Sequence, residues 1–314
     1  MGLSIAMKIN FPLLALAVGA FAIGTTEFSP MGFLPEIAND LSVSIPQAGL
    51  LISAYAVGVM IGAPLMTLWL ARFPKKTALI LLMAIFTIGN VLATVAPDYM
   101  SLMGARLITS LNHGAFFGLG SVVAASVVPK DKQASAVAMM FMGLTIANIG
   151  GVPLATWLSQ NTSWRMAFAA ISILGIMTIL ALWKALPQDH DVVKPNVAKE
   201  LRVLTRAPVV LALLTTVMSA GAMFALYTYI APSLHVFMQA SPQTITLMLV
   251  LIGIGFSIGN HLGGKFADLS LEKTLIGFLV LLMVMMLVFP VLAQTTVGAA
   301  IGLVIWGAAA FAVV

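Results

Sequence analysis

Apolar stretches long enough to cross a lipid bilayer recur along this chain, and no other feature constrains its fold as strongly. A spanning helix rises about 1.5 Å per residue, so about 20 mostly apolar residues cover the hydrocarbon layer. By that ruler the sequence holds ten spans, at 11–34, 46–71, 76–96, 99–128, 132–160, 165–186, 208–234, 242–264, 273–293 and 297–314. Inside lipid the backbone must satisfy its own hydrogen bonds, which these segments do as helices. The expected class is therefore an all-α membrane protein. The first stretch, 11–23, has the look of a signal peptide with Ala20-Phe21-Ala22 as its cleavage site. Nine further spans follow, so it reads as an uncleaved first helix.

Composition agrees. The chain is 61% hydrophobic and 8% charged, where a soluble domain carries about 25% charge. So few charges do not cover a water-facing surface. The net charge of +5 is not a nucleic-acid signal, because the basic residues gather at span ends. With the N-terminus in the cytoplasm, thirteen of the fifteen Lys and Arg fall on the cytoplasmic side. Only Arg165 lies outside and only Arg106 within a span, while Glu36, Asp40 and Asp98 mark the external loops. This is the positive-inside pattern. One missed helix would invert every later loop and destroy it. The absence of cysteine excludes disulfides, thiolate metal sites and cysteine nucleophiles.

One long polar segment, 187–207, separates six spans from the rest. The expected organisation is a six-helix bundle at 1–186, a cytoplasmic linker at 187–207, and a second bundle at 208–314. An internal repeat supports two parallel halves. GAPLMTLWLARFPKKT (62–77) aligns without gaps on GNHLGGKFADLSLEKT (259–274), and each ends the second span of its half. The second half then holds four spans against six. About two further helices are expected beyond this sequence.

The repeated loop resembles the signature of the major facilitator superfamily, a glycine, an acid-base pair, a second glycine and basic residues. Arg72, Lys75 and Lys76 fit it in the first half, where Ala71 replaces the acid and Thr67 and Pro74 the glycines. Gly264, Asp268 and Lys273 fit it in the second. GLTIANIGGVP (143–153) looks like the glycine-proline motif of the proton-driven antiporters of drugs and sugars. GTTEFSPMG (24–32), SIPQAGLLISAYAVGV (44–59) and SLNHGAFFG (110–118) extend the resemblance over essentially the whole chain. It implies two pseudo-symmetric six-helix bundles and proton-driven efflux of a sugar, nucleoside or drug-like compound across a bacterial inner membrane. The implied partners are a small-molecule substrate, protons and the lipid bilayer. The implied state is a monomer with no cofactor beyond the proton motive force, and no nucleic acid. In the resembled family the loop charges Arg72, Lys75, Lys76 and Asp268 hold the inward side closed. Positive-inside anchoring explains Lys75 and Lys76 equally well.

Glu27 is the only carboxylate inside an expected span. A charge at mid-membrane costs about 2.5–3.5 kcal/mol on insertion scales, so such residues face cavities and act there. Carboxylates in apolar surroundings exchange protons closer to neutrality than exposed ones. A hydrated position near the outer mouth is the plainer reading. Arg106 lies at similar depth in the fourth span, as an ion partner of Glu27 or as a packing device. His113 follows two turns later, with Ser110 between, and histidine titrates near neutral pH. Asn112, Asn148, Tyr227 and Tyr229 are weaker candidates for contacting a polar solute. Gly143, Gly150, Gly151 and Pro153 in span five, and Gly255 and Gly259 in span eight, are expected to let helices approach closely, and in the resembled fold these helices meet where the halves do. A uniporter would share this fold without needing a titratable residue. A membrane-embedded enzyme needs clustered acids or histidines, and His113, His190, His235 and His261 are scattered.

Overall fold

The computed structural model describes residues 10–188 and 206–313. Most of the 187–207 linker, with Asp189, His190, Asp191, Lys194, Lys199, Glu200 and Arg202, lies outside the described residues, as does Lys8. The described residues form helices throughout: α1 (Phe11–Gly32), α2 (Leu34–Asp40), α3 (Ile45–Leu70), α4 (Lys75–Thr94), α5 (Tyr99–Ser110), α6 (His113–Ser126), α7 (Gln133–Ile146), α8 (Val152–Asn161), α9 (Trp164–Ala185), α10 (Ala207–Tyr227), α11 (Ile230–Met238), α12 (Pro242–Leu292) and α13 (Thr296–Ala312).

All ten expected spans have helical counterparts, and several are subdivided. The fourth is α5 and α6, broken at Leu111-Asn112. The fifth is α7 and α8, joined by a π-helical turn at Ala147–Gly151. The seventh is α10 and α11. The eighth and ninth run together as α12, whose 51 residues would reach about 75 Å if straight. They do not run straight, because Ser270 leaves the helical region (φ −167°, ψ 104°). The packing of α13 shows that the chain reverses there. Gly255, Gly259 and Gly263 meet Val304, Ala308 and Ala312 in parallel order, whereas Gly298 and Gly302 meet Leu292 and Met285 in antiparallel order.

The helix starts show why chain direction is well defined. Five helices re-enter the bundle from the end that carries Asp40, and each begins with a polar cap. Ser44, Asp98, Ser163, Ser241 and Thr295 accept hydrogen bonds from the backbone N–H of Gln47, Ser101, Met166, Thr244 and Gly298. Each cap satisfies an orphan donor that lipid would leave bare. At the opposite end Asn10 caps α1 by accepting from Leu13 N, while Pro74, Lys132 and Arg206 precede α4, α7 and α10 without a side-chain cap.

Two cores hold the bundle. One is built within residues 13–186 from α1 to α9. The other crosses the seam between the halves. Phe28, Met31, Leu34, Ala48 and Ile52 there pack with Tyr227, Ile230, Leu234, Met248 and Phe256. The seam is thus sealed at the Asp40 end. Nearer mid-membrane, Gly253 lies against the backbone of Asn148 and Ile149 in the π-turn. The remaining span-eight glycines correct the sequence expectation: Gly255 and Gly259 pack on α13 within their own half, and Gly143 and Gly151 pack on α1. Small-residue spacing reports a close approach but not which helix approaches.

An ion pair braces the Asp40 end. Arg165 Nη1 donates to Asp40 Oδ2, Arg165 Nη2 to the carbonyl of Ala96 at 2.9 Å, and Trp164 Nε1 to Asp40 Oδ2 at 3.0 Å. The Arg165 hydrogen bond holds the Asp40 carboxyl below its usual pKa. A lowered folded-state pKa contributes stability above the unfolded value, lost as pH falls through the folded one. The side chains are 31% and 47% exposed, so screening limits the pair to under about 1 kcal/mol. Asp40→Asn is expected to lower the melting temperature slightly at neutral pH and not at all in acid, where the parent carboxyl is also neutral. Thermal unfolding at the two pH values checks this.

Candidate functional site

Proline 30 sits inside α1. Having no N–H, it cannot bond the carbonyl four residues back, which is that of Thr26. A carbonyl released inside a bundle needs another donor. Arg106 supplies it, with Nη1 donating to Thr26 O at 2.8 Å. The guanidinium is 1% exposed. It lies 4.2 Å over the ring of Tyr55 and 5.9 Å from that of Phe168. Its Nε and Nη2 have no partner among the described residues. A buried cation with two unpartnered nitrogens is costly.

Glu27, the next residue on α1, opens onto the same space. Its Oε2 is 3.9 Å from His113 Nε2, and both side chains are 16% exposed. That distance is an electrostatic contact, too long for a hydrogen bond. His113 Nδ1 lies 3.1 Å from the Tyr55 hydroxyl. With Tyr55 donating to Nδ1, the imidazole proton sits on Nε2 and faces Glu27. Thr26 Oγ1 donates to Asn90 Oδ1 at 2.7 Å, and Asn90 Nδ2 to Phe86 O at 2.9 Å.

The expected direct pair between Glu27 and Arg106 is not formed: among the described residues no ion pair joins them, and the carboxylate faces His113. Depth along a helix fixes height but not azimuth. The interruption at Leu111-Asn112 also removes the single helical face assumed for Arg106 and His113. The structure nevertheless brings Glu27, Arg106 and His113 into one cluster. Tyr55, Asn90 and Thr26 complete it and escaped the sequence reading. Their one available signal was Pro30, which marks the Thr26 carbonyl as needing a donor.

A second group adjoins the first. Phe28 stacks on Phe224 at 5.9 Å and tilts against Tyr227 at 5.6 Å. Tyr227 meets Phe256 and Trp306 edge to face at 5.5 and 6.0 Å. The Tyr227 hydroxyl and Trp306 Nε1 are buried without partners among the described residues. Tyr229 is elsewhere, against Gly49 of α3. Asn112 and Asn148 are fully buried. Asn148 Nδ2 donates to the Leu144 carbonyl at 3.0 Å, and the amide oxygens of both residues lack partners among the described residues. Nothing lies within 4 Å of a Cβ placed on Gly150, while Pro153 opens α8.

The loop charges stand as follows. The Arg72 guanidinium stands 5.3 Å over Trp69 and 5.4 Å over Phe73. Lys76 Nζ donates to the Leu186 carbonyl at 2.8 Å, and Lys75 opens α4. Asp268 is exposed, and among the described residues no ion pair joins it to Arg72.

Comparison with known proteins decides the family. Residues 16–314 match the family described as Major Facilitator Superfamily. The chain belongs to the major facilitator superfamily. It is accordingly a multi-pass membrane transporter of small solutes and not an enzyme. It is 66% identical to the Inner membrane transport protein YdhP of Escherichia coli (strain K12) over 308 residues, covering 98% of this chain and 79% of that protein. It is 36% identical to the Putative transporter AraJ of the same organism, covering 81% of this chain and 64% of that one. Among solved structures it superposes on a D-xylose-proton symporter with a TM-score of 0.75 at 16% identity, over 95% of this chain and 79% of the other. That similarity shows the superfamily fold.

Proposed function

We propose that the protein exports a small polar solute, of the sugar, nucleoside or drug-like class, in exchange for protons. Its N-terminus would lie in the cytoplasm of a bacterial inner membrane. One observation carries the proposal. Glu27, the one carboxylate of the ten expected spans, stands beside a histidine and a buried arginine with two nitrogens unpartnered among the described residues. A titratable acid there can hold a proton or a solute donor, but not both at full strength. Competition of that kind is the requirement for exchange. The Thr26 carbonyl and Tyr55 ring hold Arg106 in place, and its other nitrogens would bind a solute acceptor. Tyr227 and Trp306, with unpartnered donors amid aromatic rings, suit a ring-bearing solute with oxygen acceptors.

The test uses everted membrane vesicles energised by a respiratory substrate. Uptake of a pentose, a purine nucleoside and a cationic dye is measured with and without an uncoupler. Uncoupler-sensitive uptake of one of them is the expected result. Uptake of a pentose or nucleoside that proceeds only downhill, and ignores the uncoupler, would instead establish a uniporter.

Tyr55 gives a graded prediction. Tyr55→Phe keeps the ring beneath Arg106 and deletes the hydroxyl that orients His113, a loss of about 1 kcal/mol or roughly fivefold in rate. Tyr55→Leu also removes the cation–π support, about another 1–2 kcal/mol for a desolvated pair. Initial uptake rates should therefore fall in the order parent, Phe, Leu. Equal rates for all three would remove Tyr55 from the site.

A further inference from the structure

Thr25, Thr87, Thr109 and Thr178 each donate their hydroxyl to the carbonyl four residues back on their own helix. That is the local bond open to any threonine inside an apolar helix. Thr26 does otherwise. Its hydroxyl leaves α1 and donates to Asn90 Oδ1 of α4 at 2.7 Å. The far end of the amide settles the direction of that bond. Asn90 Nδ2 lies 2.9 Å from the Phe86 carbonyl, and a carbonyl only accepts. The amide nitrogen must therefore face Phe86 and the amide oxygen Thr26. Thr26 and Asn90 are both fully buried, so neither is placed to touch a solute.

The bond lands where α1 lacks support of its own. Pro30 leaves the Thr26 carbonyl without its helical partner, and Arg106 answers it from α5. Thr26 is thus tied by its carbonyl to α5 and by its hydroxyl to α4. Those two helices are themselves in backbone contact. A Cβ on Gly89, the residue before Asn90, would stand 2.7 Å from the backbone nitrogen of Thr109, one turn after Arg106. The three helices meet as one block at the residue that precedes Glu27.

We propose that Asn90 is a positioning residue for Glu27: by holding the Thr26 hydroxyl it fixes the rotation of α1 about its axis and keeps the carboxylate against His113. Its part in transport rests on the exchange proposed for Glu27 and adds the group that sets the geometry of that site. Without Asn90 the Thr26 hydroxyl has another acceptor at hand, the Ala22 carbonyl four residues back. The helix then survives while its azimuth is no longer fixed. A displacement of about 1 Å at a reacting group costs up to about 100-fold in rate.

Three variants test this: Thr26→Val, Asn90→Leu and the two together. Thr26→Val leaves the Asn90 oxygen bare and should melt below the parent. The double variant removes both partners and should recover most of that loss. The placement of Glu27 should not recover with it. In the double variant Glu27, no longer held, should react several-fold faster with dicyclohexylcarbodiimide, followed by mass spectrometry in a measurement that needs neither solute nor gradient. In everted vesicles, uncoupler-sensitive uptake of the pentose, purine nucleoside or cationic dye that the parent accumulates should fall about tenfold. Thr26→Ser, which restores the hydroxyl, should regain uptake lost in Thr26→Val. Two outcomes would overturn the proposal. One is labelling of Glu27 in the double variant at the parental rate or below. The other is uptake that returns together with stability in the double variant, which would make the pair a packing device alone. Faster labelling with no uncoupler-sensitive uptake even in the parent would remove the exchange and leave the placement of Glu27 by Asn90 standing.

Discussion

Glu27→Gln is expected to abolish accumulation driven by the proton gradient while leaving the protein folded and able to exchange solute. A membrane potential of about 100 mV supplies about 2.3 kcal/mol per proton, enough for roughly 50-fold accumulation of a neutral solute at one proton each. Glutamine keeps the shape of the side chain and removes its titration. The ratio of internal to external solute in energised vesicles should therefore fall from tens to about one. Solute counterflow, which needs no net proton movement, should persist. The fold should tolerate the change, because Arg106 is held by the Thr26 carbonyl and the Tyr55 ring and not by a direct bond to Glu27. Full accumulation by the glutamine variant would remove Glu27 from the coupling step.

The second large effect concerns α7 and the π-turn that follows it, where two glycines of one motif should respond with opposite sign. A Cβ on Gly143 would stand within 3.0 Å of the Ala17 carbonyl and the Phe21 nitrogen, all backbone atoms of α1. Backbone does not rotate aside as a side chain does, so α1 must move bodily. Overpacking of this kind costs about 1–3 kcal/mol. At Gly150 a Cβ meets nothing within 4 Å, and alanine is a better helix former by about 1 kcal/mol. Gly143→Ala should melt well below the parent in detergent, and Gly150→Ala at or above it. If Gly143→Ala melts with the parent, α1 and α7 are not in contact as described.

The spans could be seen in the sequence because bilayer thickness sets one length, and the chain repeats that length ten times. Charge at the span ends then ordered them. Span interiors are less legible. Nothing in the apolar run 132–160 signals a π-turn, because a one-residue bulge leaves hydrophobicity unchanged. The Ser270 break was legible as a polar gap between spans eight and nine, although the helical conformation resumes directly after it. At the site, the charged residues announced themselves by their rarity in lipid. Thr26, Tyr55 and Asn90 did not, since each is a residue type common in packed helices. The predicted Glu27–Arg106 pair failed for the same reason that the fate of Gly255 and Gly259 was misjudged. Sequence gives depth and spacing along one helix, while partners depend on rotation about it.

The π-turn at Ala147–Gly151 bears on how such a span tolerates a change of length. Eight α-helical residues turn the face by about 80° beyond two full circles, so Gly143 and Gly151 should look in different directions. Both look at α1, one against Ala17 and the other against Thr25 and Phe21. The wide turn takes up one residue and brings the two faces back to within about 20°. It works as a phase corrector: the chain can carry an additional residue in mid-membrane while both ends of the span keep their neighbours. Deleting one residue between 147 and 150 should then be absorbed by closing the turn to an ordinary α-helix. The same deletion in α9, where no such slack exists, would rotate every contact beyond it.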